Sequence, residues 1–410
     1  MPTPAQYRRR RAGVALAVVL GLSLLVLIWP RGGSENADRA DPATTTGGAR
    51  SSSTVSSAVT DGRPVSAWLA WMSGGFPSGF RQAADALPGL AETVTVAGDT
   101  RWMGESHDAD GRIVDHPTTP YEIPIDAFAV DPYRYAPFVP EADRRSVVDA
   151  LVAGKAVLGA GSAELRGLGP GGTMTFGDRV VEVGAVVPDD EVGWSEMLVN
   201  RTLGSELGIR DDRYLLALAD ESMTEDAFAQ EVAGLLPAGT PLRTVPPGGT
   251  PYVRVASGVN PPIVMKQEFG EFAAYPRSDD PAYLNMSPLW YDAHIETRRV
   301  PLLGEVTCNE ALFPALTGAL SDVRTAGLGD EIHVYSGCYA ARTVARSDTA
   351  PPSQHAYGAA IDINAPENPY GGTPTMDPRV VKIFERWGFL WGGDFLIPDG
   401  MHFEYGAPPA

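Results

Sequence analysis

Cysteine, histidine and positive charge are all scarce in this chain. Of 410 residues, two are cysteine and six are histidine, and 32 Lys and Arg face 51 Asp and Glu for a formal net charge of −19. With that balance nothing can neutralise a run of phosphates, so nucleic acid is excluded as a partner. The acids are spread along the sequence and not gathered into a tail, which reads as solubility. Long apolar runs are missing too, save one near the N-terminus. Turn-formers are abundant instead: 45 Gly and 36 Pro favour many turns and strands over long helices, and 44% hydrophobic residues suffice for real cores. The length predicts two folded domains with additions.

The one apolar run, Ala12 to Trp29, follows the basic Arg8 to Arg11. At about 1.5 Å per residue it just reaches across a hydrocarbon core. The arginines favour a cytoplasmic N-terminal side, which places residues 31–410 outside. A cleaved signal peptide is the rival reading, but "WPRGGSENAD" offers no small-x-small site directly after the run. Residues 30–61 carry almost no large apolar side chain and predict a flexible linker. The expected organisation is a basic cytoplasmic tail (1–11), a transmembrane anchor (12–29), the linker (30–61), an extracytoplasmic α+β accessory domain (62–257) and a second α+β domain (258–410). Outside the cytoplasm Cys308 and Cys338 have reason to pair, closing a loop of roughly thirty residues between a helix start and a strand end.

Residues 62–257 read as mixed α and β with a small sheet. "SVVDALVAGKAVLGAGSAELRGL" (146–168) has helical spacing around a Gly break, and "TMTFGDRVVEVGAVVPD" (173–189) alternates like a hairpin with Gly-Asp at its turn. "RYLLALAD" is a short strand, and "TEDAFAQEVAGLLP" a helix begun by Thr224 with acids in its first turn. His107 and His116 bring no ligand cluster with them, and "HDAD" at 107–110 reads as a loop. "NRT" at 200 fits a glycosylation acceptor on a pattern too short to weigh. "LRGLGPGGTMTFGDRVVEVGAVVPD" resembles small extracytoplasmic β-domains of membrane permeases. No chemistry can be read from this region.

The last 150 residues say more. Asn309 is a plausible cap for an amphipathic helix over about 309–326, with Gly327 or Gly329 as its stop, and "EIHVYSG" follows as a strand. Asp377-Pro378 opens a helix that Gly388 ends. In "GAAIDIN" the alternation of a strand sends Ile361 and Ile363 to one face and Ala360, Asp362 and Asn364 to the other. In "GMHFEYG", Met401 and Phe403 share the apolar face, and His402 and Glu404 the opposite one. His355 enters just before the first strand. Two imidazoles and a carboxylate converging from two strands make an open tetrahedral zinc site with a vacant fourth position. Zn²⁺ there lowers the pKa of water to about 7. A nearby base must then take the water's proton. Asp399, three residues before His402, is one candidate; Glu404 is the rival base, or support behind His402. His333 and His294 read as packed or hydrogen-bonded structural residues, the tryptophans of "RWGFLWGGDF" as shaping a hairpin, and Asp394 as a possible orienter of a ligand histidine.

"SGCYAAR", "SQHAYGAAIDIN", "RWGFLWGGDF" and "PDGMHFE" together resemble the M15 family of zinc peptidases, the D-alanyl-D-alanine carboxypeptidases and their peptidoglycan endopeptidase relatives. "FGEF" at 269–272 and "VPLLGEVTC" at 300–308 sit well with its cell-wall members, so the resemblance extends over 258–410. It implies a zinc peptidase domain with a small antiparallel sheet and flanking helices. It further implies zinc ligands His355, Asp362 and His402, general base Asp399, substrate contacts at Ser353 and Tyr357, and an upstream arginine, Arg342 ahead of Arg346, that steadies substrate or oxyanion. The implied activity is hydrolysis in peptidoglycan stem peptides by an enzyme tethered to a bacterial membrane with its N-terminus cytoplasmic. Carboxypeptidase is favoured, and endopeptidase is the alternative. A non-catalytic wall- or partner-binding module is the competing class, against which stands the intact set of ligands and base. A third reading makes 62–257 the partner-binding part, with the peptidase under its control. Protein partners are not legible.

Overall fold

A computed structural model describes residues 67–406 except 73, 248–259 and 348–349. The expected anchor and linker lie outside these residues. Among those described, no helix is long and apolar enough to cross a membrane.

The first region is built on one large sheet, not the small one the sequence predicts. Its strands are β1 (Trp68–Trp71), β2 (Leu90–Met103), β3 (Glu105–His107), β4 (Ile113–Asp115), β5 (Ile123–Val130), β6 (Ala156–Gly159), β7 (Thr173–Phe176), β8 (Arg179–Val187), β9 (Met197–Asn200), β10 (Asp212–Ala219) and β11 (Arg243–Val245). Their order is β11-β1-β10-β2-β5-β9-β6-β8-β7-β3-β4. Most neighbours are antiparallel, while β5–β9 and β6–β8 run parallel. β5, "IPIDAFAV", is buried along its whole length, as a strand covered on both faces must be. Helix α1 (Glu141–Val152) covers one face through Val147 and Leu151; helix α2 (Ala160–Arg166) packs Ala163 against the other.

Three local expectations in this region hold, among them the strand read in "RYLLALAD", which is β10, and one fails. The hairpin β7–β8 turns at Gly177-Asp178, pairing Phe176 with Arg179. Helix α3 (Glu225–Gly234) begins where Thr224 Oγ1 accepts from Ala227 N at 3.2 Å. The helical reading of 146–168 is corrected: "AVLG" inside it is β6, fully buried between β8 and β9. A four-residue apolar run suits either element, and here the sheet's central gap decides.

The C-terminal region starts with helix α4 (Pro262–Phe269) and carries β12 (Ala274–Pro276), β13 (Leu284–Met286), β14 (Ile295–Val300) and β15 (Gly304–Asn309). Helix α5 (Phe313–Thr325) follows a single 3₁₀ turn at Glu310–Leu312 capped by Asn309, whose Oδ1 accepts from Ala311 N at 3.1 Å. Gly327, at φ 73°, stops it. Beyond lie β16 (Tyr335–Gly337), the short helix α6 (Gln354–Tyr357), β17 (Ala360–Ile363), helix α7 (Pro378–Arg386), β18 (Phe389–Trp391) and β19 (His402–Tyr405). The strand expected over "EIHVYSG" is thus confined to its last three residues. Asn364 Oδ1 takes the backbone N–H groups of His333 and Val334 in place of a ladder. Cys308 and Cys338 form a disulfide across a separation of 30 residues. One core joins α5, α7 and the strands of this region around Phe313, Leu316, Ile361, Phe384 and Phe403. Residues 62–410 form one compact unit.

Candidate active site

The site stands on a four-stranded antiparallel sheet in the order β16-β17-β19-β18. Its register sets Asp362 directly opposite His402, with the apolar pair Ile361 and Phe403 beside them. Opposed residues on one sheet face are nearest neighbours, so the carboxylate and imidazole meet by pairing alone. His355 comes from α6. Ser353 caps that helix, its Oγ accepting from His355 N at 3.3 Å. Gly358, at φ 67°, ends it after one turn, where a Cβ would stand 2.6 Å from Asn309 N. Only glycine turns the chain this sharply into β17.

The three side chains converge. Their ligand atoms lie within 4.8 Å of one another, the one such group of three or more His, Cys, Asp or Glu among the described residues. His355 Nε2 is 3.2 Å and His402 Nδ1 3.0 Å from the two oxygens of Asp362, and the imidazole rings are 5.0 Å apart. Each histidine is held by its other nitrogen. His355 Nδ1 lies 2.6 Å from the carbonyl of Cys338, which the disulfide pins to β15. His402 Nε2 lies 3.1 Å from Glu404 Oε2, and Asn260 Nδ2 in turn reaches Glu404 at 3.4 Å. Glu404 therefore sits behind His402 and not over the ligand group, the place of an orienting carboxylate rather than of a base.

Asp399 occupies a turn closed by His402 N donating to Asp399 O at 3.0 Å and Asp399 N donating to Gly392 O at 2.8 Å. A Cβ on Gly392 would stand 2.6 Å from Asp399 O, so the loop closes only over glycine. Trp391 Nε1 braces the same turn through Gly400 O at 3.0 Å.

Burial pushes the Asp399 carboxyl up, helped by the charge of Asp362 and opposed by His402, His355 and Arg342. That makes it a stronger proton acceptor than a free aspartate. Asp362 behaves the other way. Burial would raise it, but the two imidazoles beside its oxygens outweigh that and hold it well below the usual carboxylate range. For His402 burial favours the neutral ring, yet Asp362 and Glu404 on its two sides push it up to about 10. The pocket is built to hold positive charge. Two buried atoms in it, His355 Nε2 and Asp399 Oδ1, have no aligned hydrogen-bond partner. Orphaned acceptors at the focus of a two-histidine, one-carboxylate set fit a zinc ion.

Arg342 is partly buried with Asp362 and Asp399 among its charged neighbours, and its Nη1 donates to Thr343 O at 3.2 Å. Arg346, its exposed neighbour, follows Ala345 in a left-handed turn with φ of 51° and 53°. Tyr370, which sequence reasoning passed over, stands exposed with Asp399 as its charged neighbour. Nothing in the spacing of the motifs marks it.

Three expected roles are corrected. Tyr357 is 4% exposed, its ring 4.7 Å from that of Phe272 in the core, so it is closed to substrate. Ser353 is 5% exposed and spends its hydroxyl on the cap of α6. Asp394 is exposed and offers only its backbone carbonyl, to Arg243, so it orients neither histidine. The structural reading of His333 holds: it lies outside the site, paired with Glu367 at 2.8 Å.

Residues 346–405 match the family model described as D-alanyl-D-alanine carboxypeptidase, of the M15 peptidases. In this segment the chain is M15-like. The M15-like match holds His355, Asp362, Asp399, His402 and Glu404, begins after Arg342, and spans well under half of the chain. No curated protein matches in sequence. Among solved structures, the periplasmic region of MacB from Actinobacillus actinomycetemcomitans aligns at 8% identity and a TM-score of 0.32, over 45% of this chain and 89% of that one. The extracellular domain of the noncanonic ABC-type transporter YknZ from Gram-positive bacteria aligns at 16% identity and a TM-score of 0.27, over 42% and 91%. Superpositions that loose carry no argument about fold or function.

Proposed function

We propose that the chain is a zinc-dependent peptidase that trims peptidoglycan stem peptides, a D-alanyl-D-alanine carboxypeptidase held at a bacterial membrane by its N-terminal apolar run. The observation that carries this reading is the convergence of His355, Asp362 and His402 beside Asp399, inside the M15-like segment. His355 Nε2, an Asp362 oxygen and His402 Nδ1 would hold the metal. Zinc bound there supplies Lewis-acid polarisation and acidifies water. Asp399, its basicity raised by burial, takes the proton of the attacking water at its unpartnered Oδ1 and returns it to the leaving amine. Glu404 and the Cys338 carbonyl hold the two imidazoles in the orientation this needs. Arg342 is the cation beside the pocket that would meet a terminal carboxylate or the oxyanion.

The test is mass spectrometry of a muramyl pentapeptide incubated with the full chain, with zinc, with chelator, and with the Asp399→Ala variant. Release of one D-alanine that chelator and the substitution both abolish is the expected result. Zinc-dependent cleavage inside the stem would keep the mechanism and move the specificity to endopeptidase. No cleavage by folded, zinc-loaded protein would sink the enzymatic reading.

A further inference from the structure

A second cluster of buried charge lies behind the site, and half of it belongs to the large-sheet region. Arg166, at the end of α2, and Glu196, just before β9, have fully buried side chains; so does Lys266 on α4, while Glu271 is 10% exposed. Arg166 Nη2 reaches Glu196 Oε1 at 2.7 Å and Glu271 Oε1 at 2.6 Å. Lys266 Nζ reaches the same two oxygens at 2.8 and 3.0 Å. Two cations and two anions thus bridge in all four combinations, each cation holding one acid from either side of residues 248–259. Glu196 Oε2 is anchored by Asp126 N at 2.9 Å, and Lys266 Nζ also donates to Pro124 O. Arg166 Nε and Nη1 are buried without hydrogen-bond partners, so its hold is through Nη2.

The contact around the network is close. A methyl on Gly161 of α2 would stand 2.9 Å from Gln267 Nε2 and 3.0 Å from Ile263 Cγ1 on α4. Glu122 and Ala274 exchange backbone hydrogen bonds in both directions, at 3.0 and 2.9 Å. The elements that carry the network also hold α6. Glu271 directly precedes Phe272, whose ring lies 4.7 Å from that of Tyr357, and Asn309 Nδ2 ties the Tyr357 carbonyl to that of Phe269, at the end of α4, through bonds of 3.1 and 2.9 Å. Tyr357 is two residues from His355 on a helix of four. A one-turn helix has almost no stability of its own, so its place is set by what packs on it.

We propose that Arg166, Glu196, Lys266 and Glu271 are positioning residues for the metal site, fixing Tyr357 and with it His355, so that the eleven-stranded region is an integral part of the catalytic unit. The proposal rests on the reading of His355 as a ligand. All four residues lie outside the M15-like match.

The experiment uses the full chain with Glu196→Gln, Phe272→Leu, their double variant, and Lys155→Gln, in an exposed ion pair, as the control. Zinc affinity is measured by competition with a chromophoric chelator, well below the unfolding temperature of every variant. In metal-free protein, solvent exchange of the His355 Nδ1 proton, held by the Cys338 carbonyl, is followed by NMR. Glu196→Gln and Phe272→Leu should each weaken zinc about tenfold, the range of outer partners of metal ligands. The double variant should lose no more than the worse single one, because both act through the packing of Phe272 on Tyr357. The Nδ1 proton should exchange faster in both, and Lys155→Gln should stay within about twofold of the parent. Loss of thermal stability with unchanged zinc affinity and unchanged exchange would overturn the proposal, as would strictly additive losses. If Glu196→Gln does not fold, Phe272→Leu alone decides by the same two readouts. Failure of the parent chain to bind zinc would defeat the functional reading instead, and the exchange measurement would still decide whether the network positions His355.

Discussion

The two regions of this molecule both bury charge, and they do so to opposite ends. Where the large-sheet region meets the C-terminal one, Arg166 and Lys266 share Glu196 and Glu271 in a cluster whose formal charges cancel. In the candidate site, two imidazoles and the Asp362 carboxylate converge beside Asp399, and neither His355 Nε2 nor Asp399 Oδ1 has an aligned hydrogen-bond partner. Buried charge that closes on its own counter-charges sets how surfaces fit; buried acceptors that converge on one another suit a cation.

Separating the regions should have the largest effect. A fragment of 258–410 would expose Lys266, Glu271 and the backbone of Ala274, which the rest of the chain covers. It is expected to lack cooperative unfolding by circular dichroism; a sharp thermal transition in the fragment would break the comparison. Next, within the site, His355→Ala should abolish stoichiometric zinc, whereas Glu404→Gln should weaken it roughly 10- to 100-fold, because Glu404 acts only through His402. Equal losses from the two would put Glu404 among the ligands. Third, Arg166→Met leaves Glu196 buried with one counter-charge fewer, and urea titration should show a loss of about 3–5 kcal/mol.

The smallest effect is on acid stability. Burial alone would raise the Glu271 carboxyl, but Arg166 and Lys266 outweigh it and lower its pKa from 4.5. A folded-state pKa below the unfolded one gives stability that is fully present above pH 4.5 and is lost as pH falls through the folded value. Glu271→Gln should therefore flatten the fall in melting temperature below pH 4.5 relative to the parent chain. An unchanged slope would show that folding does not lower the Glu271 pKa.

Legibility differed between the regions for a physical reason. The candidate ligand set could be read because a strand alternates strictly, so Asp362 and His402 had to share a polar face opposite Ile361 and Phe403. Caps at Thr224, Asn309 and Asp377 were equally readable, since their hydrogen bonds are made within three residues. The membership of "AVLG" in the sheet was not, because a short apolar run is a strand or a helix according to its neighbours. Tyr357 was misplaced for a related reason. It sits two residues from a candidate ligand in sequence, but which side of that short helix faces substrate depends on packing against Phe272, from elsewhere in the chain.

By itself, the sequence determined the candidate ligand set, its strands and its local caps, all of which rest on contacts a few residues apart or on the two-residue period of a strand. Only the tertiary structure decided that Glu404 stands behind His402, that Ser353 and Tyr357 are closed to substrate, and that four charges tie the large sheet to the back of the site. The last of these depends on pairings more than a hundred residues apart along the chain, such as Arg166 with Glu271, and no local pattern encodes it.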